Sequence, residues 1–442
     1  MHTKRAKMGH PEFLRFKMAK AEISERSGLP WCKSPLWIVA IALFVRVGWI
    51  FLAHTYRFKT ANDNFGFGFE MGRIARSLAQ GGGFGNPFDG ITGPTAWEPP
   101  VYPFLMAGIF KVFGIYTRAS AMVMLCLSSV FSALTCVPIF LIGKRCFNEK
   151  VALWSAWAWA VLPPIIFWCT RWVWETSLAA LLLAVIFWLT LRLEDEDGGA
   201  PWAAWGLLWG IAALTNTSLL GFLPAAGLWA WWRRTKKRKR SFGGILLAVV
   251  LFAGCVAPWT VRNERRFGQF IFVRSNFGAE LRLGNGPGAN GTWMDYEHPT
   301  KNAAQLERYR QLGEMAYVTE RKGEALEFIR EDYGRFAWLS LKRFAYYWGG
   351  LPQPGKTLLQ TVLKNAWLFV TSLLSFYGLW CALRKGKAGV FLFLGLVILY
   401  PAIYYVTFAH PRYRHPIEPE LILLAAYGLT SHIEKTSVNS NS

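Results

Sequence analysis

Charged residues are scarce in this chain: they make up 17% of its 442 residues, where a soluble globular domain carries about 25%. Acidic residues are the scarcest, 27 Asp and Glu against 49 Lys and Arg, which leaves a formal net charge of +22. Such low polarity excludes a disordered or collagen-like chain. The seven cysteines (Cys32, Cys126, Cys136, Cys146, Cys169, Cys255 and Cys381) contain no Cys-x-x-Cys pair. Most fall inside apolar runs, so they read as small buried hydrophobes and not as a disulfide or metal framework. The histidines show no metal-ligand spacing. Gly284-Asn285-Gly286-Pro287-Gly288 has no strand–helix context and is a turn-rich loop, not a phosphate-binding glycine motif. No inverted repeat of the transporter type is visible. No secretory signal is expected, because Lys4, Arg5, Lys7, Arg15, Lys17, Lys20 and Arg26 precede the first apolar run and no small-residue cleavage site follows it. That run is expected to be retained as an anchor.

What is abundant is apolar and aromatic: 53% hydrophobic residues, 23 Trp and 33 Phe. This composition fits a polytopic membrane protein with aromatic-rich interfaces. The basic residues cluster between apolar runs, as in Lys236-Lys237-Arg238-Lys239-Arg240. Positive-inside topology accounts for them, and no nucleic-acid partner is expected.

Runs long enough for the hydrocarbon layer, roughly 17–25 residues, place the first span at about 35–53, interrupted only by Arg46. Further spans follow at about 119–142, 151–167, 173–191, 243–261, 366–383, 390–408 and 417–429, with 202–215 and 219–232 as two short or tilted spans, since one long span would put the basic 233–240 cluster on the wrong side. Val101 to Gly114 is too short to span and carries Lys111, so it reads as an interfacial helix. The expected fold is all-α: an integral membrane helical bundle of about ten spans, with interfacial helices in the first outer loop and a small extracytoplasmic segment. Residues 1–34 form a basic cytoplasmic N-terminus. Residues 35–261 form a membrane module whose outer loop, 54–118, carries the chemistry. Residues 262–364 form the extracytoplasmic segment, 365–430 the C-terminal spans, and 431–442 a cytoplasmic tail. Both termini are expected in the cytoplasm.

The outer loop contains Asp63 and then Glu70-Met71-Gly72-Arg73-Ile74-Ala75-Arg76-Ser77-Leu78-Ala79-Gln80-Gly81, a short amphipathic helix ended by glycines. It continues through Trp97-Glu98-Pro99-Pro100-Val101-Tyr102-Pro103. A carboxylate just outside a span is well placed to deprotonate an acceptor hydroxyl or amine; the plainer alternative is a helix N-terminal carboxylate favoured by the dipole. Near the last span stands His410-Pro411-Arg412-Tyr413-Arg414-His415-Pro416. Arginines on the outer side run against the positive-inside trend, and a guanidinium suits bidentate phosphate binding. The alternative for them is headgroup contact or pairing with Glu418 or Glu420. Arg171-Trp172-Val173-Trp174-Glu175 reads as an aromatic belt with a local ion pair.

These motifs, with Pro258-Trp259-Thr260-Val261-Arg262-Asn263 between them, resemble the GT-C superfamily of membrane glycosyltransferases. The likeness is to the branch similar to dolichyl-phosphate-mannose-protein mannosyltransferases and bacterial aminoarabinose transferases. The resemblance implies an active site on the non-cytoplasmic face, a polyprenyl-phosphate sugar donor, and inversion by one carboxylate base. It makes Glu70, or else Asp63, that base. Relatives carry their acid nearer Gly66-Phe67, and the aminoarabinose branch has a Lys where this chain has Glu98. Arg412 and Arg414 become the donor-phosphate contacts, with Tyr413, His410, Arg73, Glu98 and Tyr102 as further substrate-binding candidates. The acceptor would be a lipid, a glycan or a protein, and the location a bacterial inner (plasma) membrane among its lipids. No cofactor is expected, and no metal-ligand pattern supports a divalent ion. A secondary transporter or lipid flippase would instead put ionisable groups at mid-membrane depth, and a non-catalytic membrane assembly subunit would keep the fold without the base.

Overall fold

The computed structural model describes residues 34–58, 66–352 and 355–439. Asp63 therefore lies outside the described residues. The architecture is all-helical, with one isolated antiparallel bridge, Gly85 to Pro94, pinching the first polar loop.

Five described helices are long and apolar enough to cross a membrane: Pro35–Leu52, Arg118–Cys146, Thr176–Leu193, Phe242–Phe267 and Leu358–Arg384. The pair Glu149–Val161 and Pro163–Arg171, bent by 47°, makes a sixth if counted as one span. The expected count of about ten is not reached by length and composition. Gly199–Thr215 and Leu223–Lys236 have 17 and 14 residues, and at 1.5 Å per residue they reach roughly 21–26 Å against a hydrocarbon layer of about 30 Å. Several spanning helices turn apolar side chains outward. In Phe242–Phe267 only 11% of the apolar window is buried, and Phe242, Leu246, Val249 and Val250 are exposed. An apolar face of that extent is covered by lipid and not by water.

The bend at Pro163 explains Arg46, the one charge in the first span. Pro163 and Pro164 have no amide hydrogen, so the carbonyls of Trp159 and Ala160 lose the donors four residues on. Arg46, fully buried, replaces them: Nη2 donates to Trp159 O at 2.8 Å and Nη1 to Ala160 O at 2.7 Å. Its Nε donates to Ser132 Oγ at 3.0 Å. One side chain thus ties Pro35–Leu52 to two neighbouring helices and satisfies carbonyls that lipid could not.

Helix Thr176–Leu193 measures the bundle from end to end. Glu175, just before it, lines a cavity. Glu194, just after it, sits in an ion-pair cluster with Arg233, with Lys237 Nζ at 3.0 Å and with Arg145 at 3.8 Å. Gly199–Thr215 runs back to Asn216 in the cavity, and Leu223–Lys236 returns to the cluster, where Arg234 Nη1 donates to Leu193 O at 2.9 Å. The two short helices are therefore an antiparallel pair between the same two ends. Residues 262–364 contribute Phe277–Gly284, Ala303–Leu312, Glu314–Glu331 and Tyr333–Gly349, and Phe277 and Glu280 of the first line the cavity.

Candidate active site

The cavity, about 370 Å³, is near the lower end of the range of roughly 300–1,000 Å³ usual for small-molecule sites. Its wall begins with a strained turn. Gly68 and Phe69 both have positive φ, 76° and 46°. A Cβ on Gly68 would lie 2.7 Å from Val173 O, so only glycine lets this turn press against the segment before Thr176–Leu193. Val173 N–H donates to Gly66 O at 3.0 Å across the same contact. The turn delivers Glu70 as the first residue of helix Glu70–Ala79, a position that the helix dipole favours for a carboxylate.

Four carboxylates line the cavity: Glu70, Glu98, Glu175 and Glu280, with Arg274, Arg412, His298 and His410. Glu70 Oε1 accepts from Thr300 Oγ1 at 2.8 Å and lies 3.8 Å from His298 Nε2. Glu98 lies 3.4 Å from Arg274 Nη2. Burial pushes the Glu98 carboxyl up to about 8 in spite of Arg274, and the other three carboxylates push the same way. Burial likewise raises Glu280 to about 7, with Arg274 opposing. Glu98 is consequently a neutral acid at pH 7 and unsuited to take a proton. Glu175 accepts from Asn216 Nδ2 at 3.1 Å, while its buried Oε2 has no partner among the described residues. Burial holds His410 down to about 3 and lowers His298, so both rings are neutral.

The two arginines of the late motif part company. Arg412 reaches the cavity with its guanidinium 3.0 Å from the ring centroid of Trp174. Arg414 turns into the bundle, where Nε meets Glu418 Oε1 at 2.9 Å and Nη1 donates to Ser372 Oγ at 2.7 Å. Of the expected pair only Arg412 lines the cavity, because Pro411–Ile417 is a 3₁₀ turn, in which residues two apart point in different directions round the axis. Tyr413 and His410 line the cavity. Tyr102 does not: it is buried and shares a hydrogen bond with Ser128 Oγ at 3.2 Å. Arg73 is buried behind Glu70, its Nη1 3.4 Å from Thr300 Oγ1.

The sequence reading passed over Arg274, Glu280, His298 and Thr300, which stand in no motif, and gave Glu175 a local ion pair with Arg171. Arg171 instead lies over the Phe167 ring at 5.7 Å. The charged side chains of 262–364 were the only available signal. Their placement depends on Glu314, a buried carboxylate that accepts from Thr95 Oγ1, from Ala96 N–H at 2.7 Å, from Ser275 Oγ at 2.7 Å and from Tyr309 Oη at 2.8 Å. This fastens the strand of chain leading to Glu98 against the one carrying Arg274. Among the described residues, no group of three His, Cys, Asp or Glu side chains is placed to hold a metal ion.

Residues 97–261 match the family model described as dolichyl-phosphate-mannose-protein mannosyltransferase. Comparison with curated proteins finds no match. Among solved structures, the chain is similar to the oligosaccharyltransferase of Archaeoglobus fulgidus in its apo form, with a TM-score of 0.55 and 14% identity over 92% of this chain and 51% of that one. It is similar to AglB of the same organism in complex with an inhibitory peptide and a dolichol-phosphate, with a TM-score of 0.53 and 13% identity over 92% and 51% of the two chains. ArnT from Cupriavidus metallidurans bound to undecaprenyl phosphate gives a TM-score of 0.40 and 13% identity over 89% and 77%. The chain spans about half the length of the archaeal oligosaccharyltransferases it matches. The chain shares the fold of these archaeal oligosaccharyltransferases, an all-helical fold similar to that of the GT-C membrane enzymes its motifs resemble.

Proposed function

We propose that this protein is a membrane glycosyltransferase that moves a sugar from a polyprenyl-phosphate donor to an acceptor on the extracytoplasmic face. It would sit in a bacterial inner membrane with both termini in the cytoplasm. The observation that carries this reading is one cavity lined by both Glu70 and Arg412. A base for the acceptor and a cation for the donor phosphate therefore share a single site.

In the reaction, Glu70 takes the proton of an acceptor O–H or N–H as the acceptor atom attacks C1 of the sugar. The C1–O bond to phosphate breaks with inversion, and the electron pair leaves on the polyprenyl phosphate. Arg412 and Arg274 stabilise the charge that grows on that leaving group. Neutral Glu98 can donate a hydrogen bond to a sugar oxygen, a role for which ionised carboxylates are unsuited. The closest rival for the base is Asp63, outside the described residues.

The test is transfer by purified protein in proteoliposomes from polyprenyl-phosphate sugars, read as release of polyprenyl phosphate. Glu70→Gln keeps the shape and removes proton acceptance, which should cost about 10²- to 10⁴-fold in rate. A fully active Glu70→Gln alongside an inactive Asp63→Asn moves the assignment to Asp63. If both variants are active, the carboxylate mechanism is wrong.

A further inference from the structure

We infer that His298 and Thr300 are positioning residues for Glu70, clamping one oxygen of its carboxylate so that the other is presented to the acceptor. This inference rests on the reading of Glu70 as the base. The clamp comes from a loop 230 residues downstream of the carboxylate it holds.

The ring state of His298 follows from its contacts. Nδ1 accepts from the backbone N–H of Thr300 at 3.2 Å. In a neutral imidazole, a nitrogen that accepts carries no hydrogen, so the hydrogen is on Nε2. Nε2 is the atom that faces Glu70 Oε1, at 3.8 Å. Neutrality is enforced by the surroundings. The side chain is 6% exposed and boxed by Phe88, Trp97 and Trp293, with ring centroids at 5.6, 6.1 and 5.6 Å. The charged groups that act on it are Glu70, Arg73 and Asp295.

Both contacts converge on the same oxygen. The Thr300 hydroxyl donates to Oε1 at 2.8 Å, and His298 Nε2 lies 3.8 Å from the same oxygen. Among the described residues Oε2 receives no hydrogen bond. A small rotation of the carboxylate closes the 3.8 Å gap, as is common when a catalytic hydrogen bond tightens in the substrate complex. The acceptor proton then has one destination, Oε2, and a carboxylate held at one oxygen cannot swing away from the attacking atom. Fixing the base in this way should act on the chemical step more than on donor binding, because the contacts of both residues converge on Glu70.

The test measures kcat and donor KM for wild type, His298→Phe, His298→Gln, Thr300→Val and Glu70→Gln in one proteoliposome assay, with unfolding midpoints alongside. His298→Phe should lower kcat by about ten- to a hundredfold with donor KM little changed. Thr300→Val should act in the same direction. His298→Gln should recover most of the loss, since its amide restores an N–H at the reach of Nε2. Gln offers an acceptor oxygen as well as an N–H and Phe offers neither, so the difference between them reports the polar contacts of His298 with Thr300 and Glu70 together. A Gln variant no better than Phe, or a Phe variant at the wild-type rate, overturns the clamp while an inactive Glu70→Gln keeps the base assignment. A fully active Glu70→Gln overturns both.

Discussion

Arg414 and Glu418 form a buried ion pair, Nε to Oε1 at 2.9 Å, with side chains 0% and 4% exposed. Two residues earlier, Arg412 stacks on Trp174 at the cavity wall. Removing one member of a buried pair leaves an uncompensated charge and costs about 3–5 kcal/mol. Arg414→Ala is therefore expected to lower the thermal unfolding midpoint sharply. Arg412→Ala should leave that midpoint near wild type but weaken use of the donor by roughly 1.5–3 kcal/mol. Arg412→Lys should fall between, since it keeps the charge and loses the planar fork. Equal effects of the two alanine variants on unfolding would contradict this division.

Glu98 makes stability depend on pH. Its carboxyl is raised from 4.5 to about 8, chiefly by burial. The folded chain holds a proton there that the unfolded chain releases near 4.5, so stability falls as pH rises from about 4.5 towards 8. Glu280, raised to about 7 for the same reason, contributes in the same direction over a narrower window. Glu98→Gln should flatten the fall in melting temperature between about pH 5 and 8, leaving the part due to Glu280. An unchanged slope in detergent-solubilised protein would mean that Glu98 is ionised in the folded state.

Arg46→Met tests the repair of the proline bend. The substitution keeps the apolar stem and strips donors from Trp159 O and Ala160 O, each an acceptor at 2.7–2.8 Å. An unsatisfied buried acceptor costs about 1–3 kcal/mol. The expected result is a lower unfolding midpoint and poorer recovery from membranes. A wild-type midpoint would show that other donors reach these carbonyls.

Single-cysteine labelling checks the sidedness. Lys301 stands at the cavity end, its Nζ 5.8 Å from the Phe69 ring centroid, and Lys237 in the ion-pair cluster at the other. A cysteine at 301 should react with an impermeant reagent from outside. One at 237 should react only after the membrane is opened. Outside labelling at 237 would reverse the topology and with it the proposed face of the active site.

The helix beginning at Glu70 and the short apolar helix Val101–Phe113 were legible in the sequence, because apolar spacing and terminating glycines are local signals. So was the break between Gly199–Thr215 and Leu223–Lys236, since a basic cluster after one long helix would have fallen on the wrong side. Glu70, Glu98, Tyr413, His410 and Arg412 could be singled out by motif and position, and they do share the cavity wall. What the sequence could not decide was direction. Arg412 and Arg414 are the same residue type two positions apart, and only the packing of Leu358–Arg384 and Glu418–Asn439 around the turn turns one of them to the cavity and the other to Glu418. Nor could it bring Arg274, Glu280, His298 and Thr300 to Glu70 and Glu98. Local periodicity reports which face of a helix is apolar. It carries no record of contacts across some two hundred residues, such as Thr300 on Glu70. Glu314 binds the two segments together by accepting from both, a contact whose energy exists only once the chain has folded.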